Sequence, residues 1–279
     1  MEKFVSIIMS VYNGDKPVWL RDAIESILNQ TYRFFEFIIV LDGVARNDLL
    51  NTINFYKNKD NRILVISLDK NKGLGFALNK AIELSKGEYI IRMDADDISM
   101  PNRIEKLVNF MNSHPNIDVA GSFIKEFTNN TKFGTIIRYP ITHDNMRRLF
   151  LRRNPLAHSS VIFRKSYFLK AGYYPLFSIR NEDTLLWLSG FKNDCIFSNI
   201  PDPLYLVRSH KETYMRRRGI KKSLSDFVDR IRVIIDLNGS FLDILYAFGV
   251  MIVSNLPYNL YRFFRLRIIQ KNNEIITDD

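Results

Sequence analysis

Apolar and polar positions along the first third of the chain follow two alternating rhythms. Val5 to Met9 is an apolar run of the kind found in a strand buried on both faces. Val11-Tyr12-Asn13-Gly14 reads as a turn. Leu20, Ala23, Ile24, Ile27 and Leu28 then recur at i, i+3, i+4, i+7 and i+8, which predicts a helix. Phe35 to Leu41 is a second strand, ending in Asp42-Gly43, and Ile63 to Leu68 is a third. Asn71-Lys72-Gly73-Leu74-Gly75 precedes a helix with Leu74, Leu78, Ala81 and Ile82 on one face. Tyr89 to Met93 is a fourth strand, and Ile104, Leu107, Val108 and Met111 mark the next helix. Strands alternating with helices at this interval predict an α/β fold with a doubly wound parallel sheet.

The fourth strand ends abruptly in acid: Asp94, Asp96 and Asp97 fall within four positions. Ser99-Met100-Pro101 reads as a helix start, with Ser99 as N-cap and Pro101 in the first turn. The acids therefore sit at the carboxyl end of a strand, where open α/β sheets bind ligands. Clustered carboxylates repel one another unless a cation neutralises them or water solvates them. Hard oxygen ligands suit Mg²⁺ or Mn²⁺, which also hold substrate diphosphates. A solvated acidic turn is the competing explanation.

Composition narrows the class. The 279 residues suffice for one large or two small domains, and 46% hydrophobic with 25% charged residues is a globular balance. A net charge of +10 points to a polyanionic neighbour: nucleic acid, anionic lipid or a phosphorylated substrate. The single cysteine, Cys195, allows no internal disulfide and no cysteine metal cluster, which fits a reducing cytoplasm. The start of the chain, Met1-Glu2-Lys3 followed by a short apolar run, lacks the pattern of a signal peptide.

Several stretches carry two explanations each. Asn71 to Gly75 lacks a full phosphate-loop pattern, so Gly73 and Gly75 are expected to serve a turn with positive φ, although Lys72 could reach a diphosphate. Arg138, Arg147, Arg148, Arg152 and Arg153 suit a solvated helix face or an anionic substrate. His158 is expected to be structural. Glu182 and Asp183 precede an apolar helix with Leu185, Leu186 and Leu188, where negative charge is favourable in any case. Phe241 to Leu256 is strongly apolar, holds Asp243, and spans 16 residues where a membrane crossing needs roughly 20. It suits either core packing or, with the arginine- and aromatic-rich Leu256 to Arg267, a helix lying in a membrane interface.

The segments Val5 to Asn13, Ala23 to Tyr32, Phe35 to Val40, Asn71-Lys72-Gly73 and Arg92 to Asp97 together resemble family 2 glycosyltransferases. The resemblance runs from about residue 4 to the low 220s and implies the GT-A fold: a doubly wound, mostly parallel sheet flanked by helices. Residues 1–220 would form that domain, with a nucleotide-binding half to about 100 and an acceptor half from about 101. Residues 221–279 would be a helical, membrane-associating extension.

By the same resemblance, Val11, Tyr12, Asn13, Asp42, Lys72 and Asp94 would line the nucleotide sugar, with Tyr12 and Asp42 at the base and Asp94 near the ribose. Asp96 would hold Mn²⁺ or Mg²⁺. Asp183 matches the general base. Asn154 to Arg164 resembles the segment leading into the acceptor site. Tyr214 to Gly219 resembles a basic motif of polysaccharide-assembly members, and Arg216 and Arg217 could close over the diphosphate, though a surface linker explains them equally. Ser10 stands where the family often has proline, and Leu41-Asp42-Gly43-Val44 where Asp-Asp-Gly-Ser is usual.

The implied activity is inverting transfer of a hexose from a UDP-linked sugar to a lipid-linked oligosaccharide or growing surface glycan, such as O-antigen or capsule. The implied place is the inner face of the bacterial cell membrane, bound peripherally to its anionic surface. A sugar nucleotidylyltransferase would need a Gly-rich, Arg-bearing loop after the first strand, and Val11 to Asp15 is not one. A non-catalytic basic module binding membrane or nucleic acid explains the charge but not Asp94, Asp96 and Asp183. No nucleic-acid motif is present, so no nucleic-acid partner is expected.

Overall fold

In the computed structural model of the chain, residues 2–128, 130–176, 181–209, 219–256, 260 and 263–264 are described. The strand and helix rhythm is realised directly. β1 (Val5–Val11) leads to α1 (Pro17–Leu28), β2 (Phe35–Leu41) to α2 (Asn47–Lys59), β3 (Ile63–Ser67) to α3 (Leu74–Leu84), and β4 (Tyr89–Asp94) follows. α2 buries only Leu49, Ile53 and Tyr56, a stripe too sparse to stand out in the sequence pattern.

These four strands pair in parallel in the order β3-β2-β1-β4. The order reverses at β1, which has β2 on one side and β4 on the other. Ser10 lies opposite Asp94, and Val11 opposite Leu41. The carboxyl ends of β1, β2 and β4 thus lie side by side at the topological switch point, where open α/β sheets bind ligands.

Beyond β4 the sheet is mixed. β8 (Ile162–Arg164) runs antiparallel to β4 and to β6 (Val119–Phe127). β9 (Phe197–Arg208) is parallel to β6 and antiparallel to β5 (Ile98–Ser99), and β7 (Thr135–Ile137) is antiparallel to β6. Among the described residues this makes one nine-stranded sheet.

Apolar side chains cover both faces of it. On one, Ile24 and Ile27 of α1 pack with Ile104 and Leu107 of α4 (Arg103–Ser113). On the other, Leu78 of α3 meets Phe150 of α5 (His143–Phe150), Tyr167 of α6 (Tyr167–Ala171) and Trp187 of α7 (Glu182–Lys192). Each fully buried aliphatic side chain contributes about 1.5–3 kcal/mol.

Two local expectations are corrected. Ser99 is not an N-cap and Pro101 is not in the helix. Ser99 belongs to β5, paired with Tyr205, and α4 begins at Arg103 after Asn102. The cap comes from elsewhere: Gln30, fully buried after α1, accepts the Ile104 N–H at 3.0 Å. Its amide nitrogen donates to the Met100 carbonyl at 2.7 Å and the Ser99 hydroxyl at 3.1 Å. Gln30→Ala leaves these groups buried without partners, so a loss of about 1–3 kcal/mol is expected in urea unfolding. An unchanged midpoint would remove Gln30 from this role.

Gly75 is the second correction. Positive φ occurs at Gly73 (90°), but Gly75 lies inside α3. Space is tight there: a Cβ would stand 3.3 Å from the Pro175 carbonyl oxygen.

The C-terminal segment forms α8 (Ile220–Asp236) and α9 (Phe241–Ser254). α8 buries Val233 in the same core as Trp187, joined by Leu237 just after the helix. α9 lies along α8 and buries only Asp243 and Ala247. Asp243 completes a capping box with Ser240 and pairs with Arg152 at 3.0 Å. Phe241, Leu242, Leu245, Phe248 and Ile252 stay exposed, so core packing does not account for the apolar stretch. Among the described residues no helix is long and apolar enough to cross a membrane. Most of the arginine- and aromatic-rich stretch from Pro257 to Arg267 lies outside the described residues.

Candidate active site

The acid cluster forms where β4 ends. Asp94, Asp96 and Asp97 each offer a carboxylate oxygen, and all three lie within 4.8 Å of one another. Their surroundings differ. Asp94 takes both terminal nitrogens of Arg92, at 2.6 and 3.1 Å. Its backbone N–H donates to the Tyr205 hydroxyl at 3.0 Å. Asp97 is buried and accepts the Arg208 N–H at 2.8 Å. Burial, with the charges of Asp96 and Asp94, pushes the Asp97 carboxyl well above the usual carboxylate range. Asp96 is half-buried, and its carbonyl oxygen accepts Arg208 Nε at 2.9 Å.

Two arginines absent from the sequence-level site residues organise this end of the sheet. Arg208, the last residue of β9, ties Asp96 and Asp97 to Asp22 of α1 at 3.0 Å, with its guanidinium over Trp19 and Phe127. Arg103 is fully buried, donates to the carbonyls of Arg92 (2.8 Å) and Ser159 (3.0 Å), and lies over the Tyr205 ring. Burial lowers its guanidinium to about 10.

Arg92 backs the cluster from within the sheet. Its side chain is buried at 4% exposure. Burial alone would lower its affinity for the proton, but Asp94, Tyr174, Tyr205 and Asp183 together outweigh that and raise it. A charged residue in the otherwise apolar run Tyr89 to Met93 was the available signal, since a buried charge requires a partner.

Asp183 sits in the first turn of α7, half-buried, and its Oδ2 accepts Asn154 Nδ2 at 2.8 Å. Among the described residues no hydrogen bond is made to its Oδ1. Burial, with the neighbouring charge of Asp183, raises the Glu182 carboxyl; Arg92 and Lys222 oppose the shift. His158 behaves as a structural residue. Its Nε2 bonds the Tyr174 hydroxyl at 2.8 Å, and burial followed by the Arg92 charge holds the imidazole well below its ordinary value.

The remaining site candidates gather at the ends of β1 and β2. Val11 is a core residue whose carbonyl accepts the Asp42 N–H at 2.8 Å, so its side chain is scaffold. The Tyr12 N–H donates to Asp15 at 2.9 Å, and the Tyr12 ring covers Gly14. Asn13 accepts the Arg46 N–H at 3.0 Å and so fixes the loop after β2. Asp42 is buried, and its two oxygens accept the backbone N–H groups of Lys72 (2.7 Å) and Gly73 (2.9 Å). It anchors the 71–73 loop at the end of β2. Lys72 is exposed, with its ammonium 4.3 Å from the centre of the Phe76 ring. Arg216 and Arg217 lie outside the described residues.

Known proteins share both the sequence and the architecture. The sequence profile described as Glycosyl transferase family 2 matches residues 6–171. The amylovoran biosynthesis glycosyltransferase AmsE of Erwinia amylovora is 30% identical, covering 92% of this chain and 96% of its own. A UDP-Gal:α-D-GlcNAc-diphosphoundecaprenol β-1,3-galactosyltransferase of Escherichia coli is 33% identical, over 79% of this chain and 80% of its own. The mannosyltransferase PcManGT of Pyrobaculum calidifontis, solved with GDP-Man and Mn²⁺, shares the fold with a TM-score of 0.64 at 13% identity, covering 99% of this chain and 84% of its own. A matched profile over more than half the chain, with relatives of this identity and coverage, places it: the chain belongs to glycosyl transferase family 2 and has the GT-A fold.

Proposed function

We propose that the chain moves a hexose from a UDP-linked sugar to a lipid-linked or growing bacterial surface glycan, inverting the anomeric carbon. The observation that carries this reading is the cluster of three carboxylates after β4, within 4.8 Å of one another at the carboxyl end of the parallel strands, with Asp183 at the start of α7 as a second, separate carboxylate. Sugar transfer requires both. A nucleoside diphosphate must be held at the strand ends, and a carboxylate must receive the proton of the incoming hydroxyl. The donor and acceptor named for the Escherichia coli relative support a UDP-sugar and a polyprenyl-diphosphate acceptor.

The acid cluster fits Mn²⁺ or Mg²⁺. Three carboxylate oxygens within 4.8 Å are a hard-ligand set, and the cost of burying Asp97 among like charges is relieved by a cation. Asp96 would be the main ligand, as the family resemblance of Arg92 to Asp97 implies, with Asp94 and Asp97 close enough to share the ion. A bound divalent ion would neutralise charge on the leaving diphosphate.

The chain's own residues would do the rest. Tyr12 and Asp42 border the base, with Asn13 bracing their loops, and Asp94 faces the ribose. Lys72, Arg216 and Arg217 supply cations to the diphosphate. Asp183 accepts the acceptor's proton. The decisive experiment is incubation of the full chain with a panel of UDP-sugars and Mn²⁺, with and without EDTA. Metal-dependent UDP release is expected with one of them, and neither binding nor release across the panel overturns the proposal.

The C-terminal helices would dock on the inner leaflet of the membrane. α9 exposes Phe241 at 70% and Leu242 at 68%, and α8 exposes Leu224 and Val228. Arg262, Arg265 and Arg267 follow in the sequence. Basic residues near an anionic surface contribute roughly 1 kcal/mol each. Full-length protein should sediment with vesicles containing anionic lipid, and a chain lacking residues 239–279 should stay in the supernatant. Absence of vesicle binding by the full chain would refute this docking.

A further inference from the structure

We propose that Arg230 and Asn154 are positioning residues through which the C-terminal helix α8 sets the carboxylate of Asp183 for proton transfer. This rests on Asp183 as the base and extends that reading to groups outside the acid motifs.

The hydrogen-bonding inventory makes the arrangement directional. Arg230 Nη2 donates to Asn154 Oδ1 at 3.0 Å, and Asn154 Nδ2 donates to Asp183 Oδ2 at 2.8 Å. A guanidinium can only donate, and an ionised carboxylate can only accept. Only one orientation of the asparagine amide satisfies both, and Arg230 enforces it. Arg230 is otherwise held by the Phe150 carbonyl and lies over the Phe150 ring, so it has little freedom to swing away. The Thr184 hydroxyl, next in α7, bridges to the same amide at 3.0 and 3.1 Å.

A second grip acts on the same turn. Asn181 precedes α7 at the N-cap position, yet its side chain does not cap that helix. Its Nδ2 donates to Asp229 at 2.8 Å, and its Oδ1 accepts from Lys222 Nζ at 2.8 Å. Both partners belong to α8. A residue type that usually stabilises its own helix end is here committed to a neighbouring helix. α8 therefore holds the turn carrying Glu182 and Asp183 through two asparagine amides, each with its orientation dictated by α8.

Burial of the arginine calls for an explanation of this kind. Burial lowers the Arg230 guanidinium to about 10, with Asp183 first among the charges that oppose the shift. Well-packed apolar residues commonly match or exceed such buried polar groups in stability. Stability alone does not account for an arginine at this position.

The test uses the full chain and steady-state kinetics with a UDP-sugar donor, comparing Asn154→Asp, Arg230→Met and Arg230→Lys with Asp183→Asn. Asn154→Asp keeps the shape and the contact to Arg230 but sets an acceptor against Asp183 Oδ2. A positioning role predicts that kcat falls and its acid limb moves to higher pH, whereas a purely structural role lowers the melting temperature and leaves the pH profile in place. A misplaced catalytic group costs up to about 100-fold. A fall in kcat of at least about 10-fold is expected for Asn154→Asp and Arg230→Met, with donor KM within about twofold, measured well below each variant's melting temperature because Arg230→Met also leaves the Phe150 carbonyl without its donor. Arg230→Lys, which keeps a donor, should recover part of the loss. Wild-type kcat in Asn154→Asp, with Asp183→Asn inactive, overturns the positioning role and leaves the base intact. Wild-type turnover in Asp183→Asn overturns the base itself.

Discussion

Asp96→Ala is expected to abolish metal-dependent binding of UDP while leaving the protein folded. Changes to residues that merely orient a metal's ligands cost about 10–100-fold in affinity, so loss of a direct ligand should reach or exceed about 100-fold. Asp96 is half-buried just past the end of β4. Its bond to Arg208 is made by the backbone carbonyl and survives truncation. Asp94→Ala would instead strand the buried Arg92 guanidinium. Breaking a buried pair costs about 3–5 kcal/mol, with the lower end expected here because Asp94 is 32% exposed. Asp97→Ala would leave the Arg208 N–H without its acceptor at the end of β9. Calorimetry of UDP binding with and without Mn²⁺ should therefore show a metal-dependent component in wild type and none in Asp96→Ala, at similar melting temperatures. Metal-dependent affinity retained in the mutant would remove Asp96 as the ligand.

Much of this architecture is legible in the sequence, because local patterns and tertiary burial agree through the first half. β2 runs from Phe35 to Leu41 as its apolar run predicts, and the apolar stripes of α1, α3 and α4 are the faces that are buried. Legibility ends where the deciding partner is distant in sequence. Ser99-Met100-Pro101 has the local chemistry of a helix start. Pairing with Tyr205 and Leu206, and a cap supplied by Gln30, decide otherwise.

The site divides the same way. Asp94, Asp96 and Asp183 stand in recognisable local contexts: an acid-tipped strand end and a helix N-terminus. Asn154, Arg208 and Arg230 have no local mark, because their roles consist wholly of partners on other elements. Asp42 lies between these cases. Its place at a strand end is visible in sequence, but its two bonds to the amides of Lys72 and Gly73 are visible only in the folded chain.

Asp183→Asn is expected to bind the UDP-sugar normally and to lose turnover by about 10²–10⁴-fold. An acceptor hydroxyl is a poor nucleophile until its proton is removed, and general-base assistance is worth roughly that factor. The substitution keeps the shape of the side chain. The new amide can turn its oxygen towards Asn154 Nδ2, which preserves the 2.8 Å contact and the α7 turn. The negative charge at the helix start is lost, at a cost of about 0.3–1 kcal/mol, too little to unfold a domain of this size. On the proposed assignment, donor binding rests on the strand ends of β1, β2 and β4 and not on this carboxylate. The effect should therefore appear in kcat, with donor affinity unchanged. On the proposed mechanism, with Asp183 as a single base, displacement is direct: the hydroxyl forms its bond to the anomeric carbon as the bond to the diphosphate breaks, and the proton passes to Asp183. An α-linked UDP-sugar should then give a β-glycoside, which NMR of the product resolves. Retention of the α anomer would exclude in-line displacement assisted by Asp183, and near wild-type turnover in Asp183→Asn would exclude Asp183 from this role.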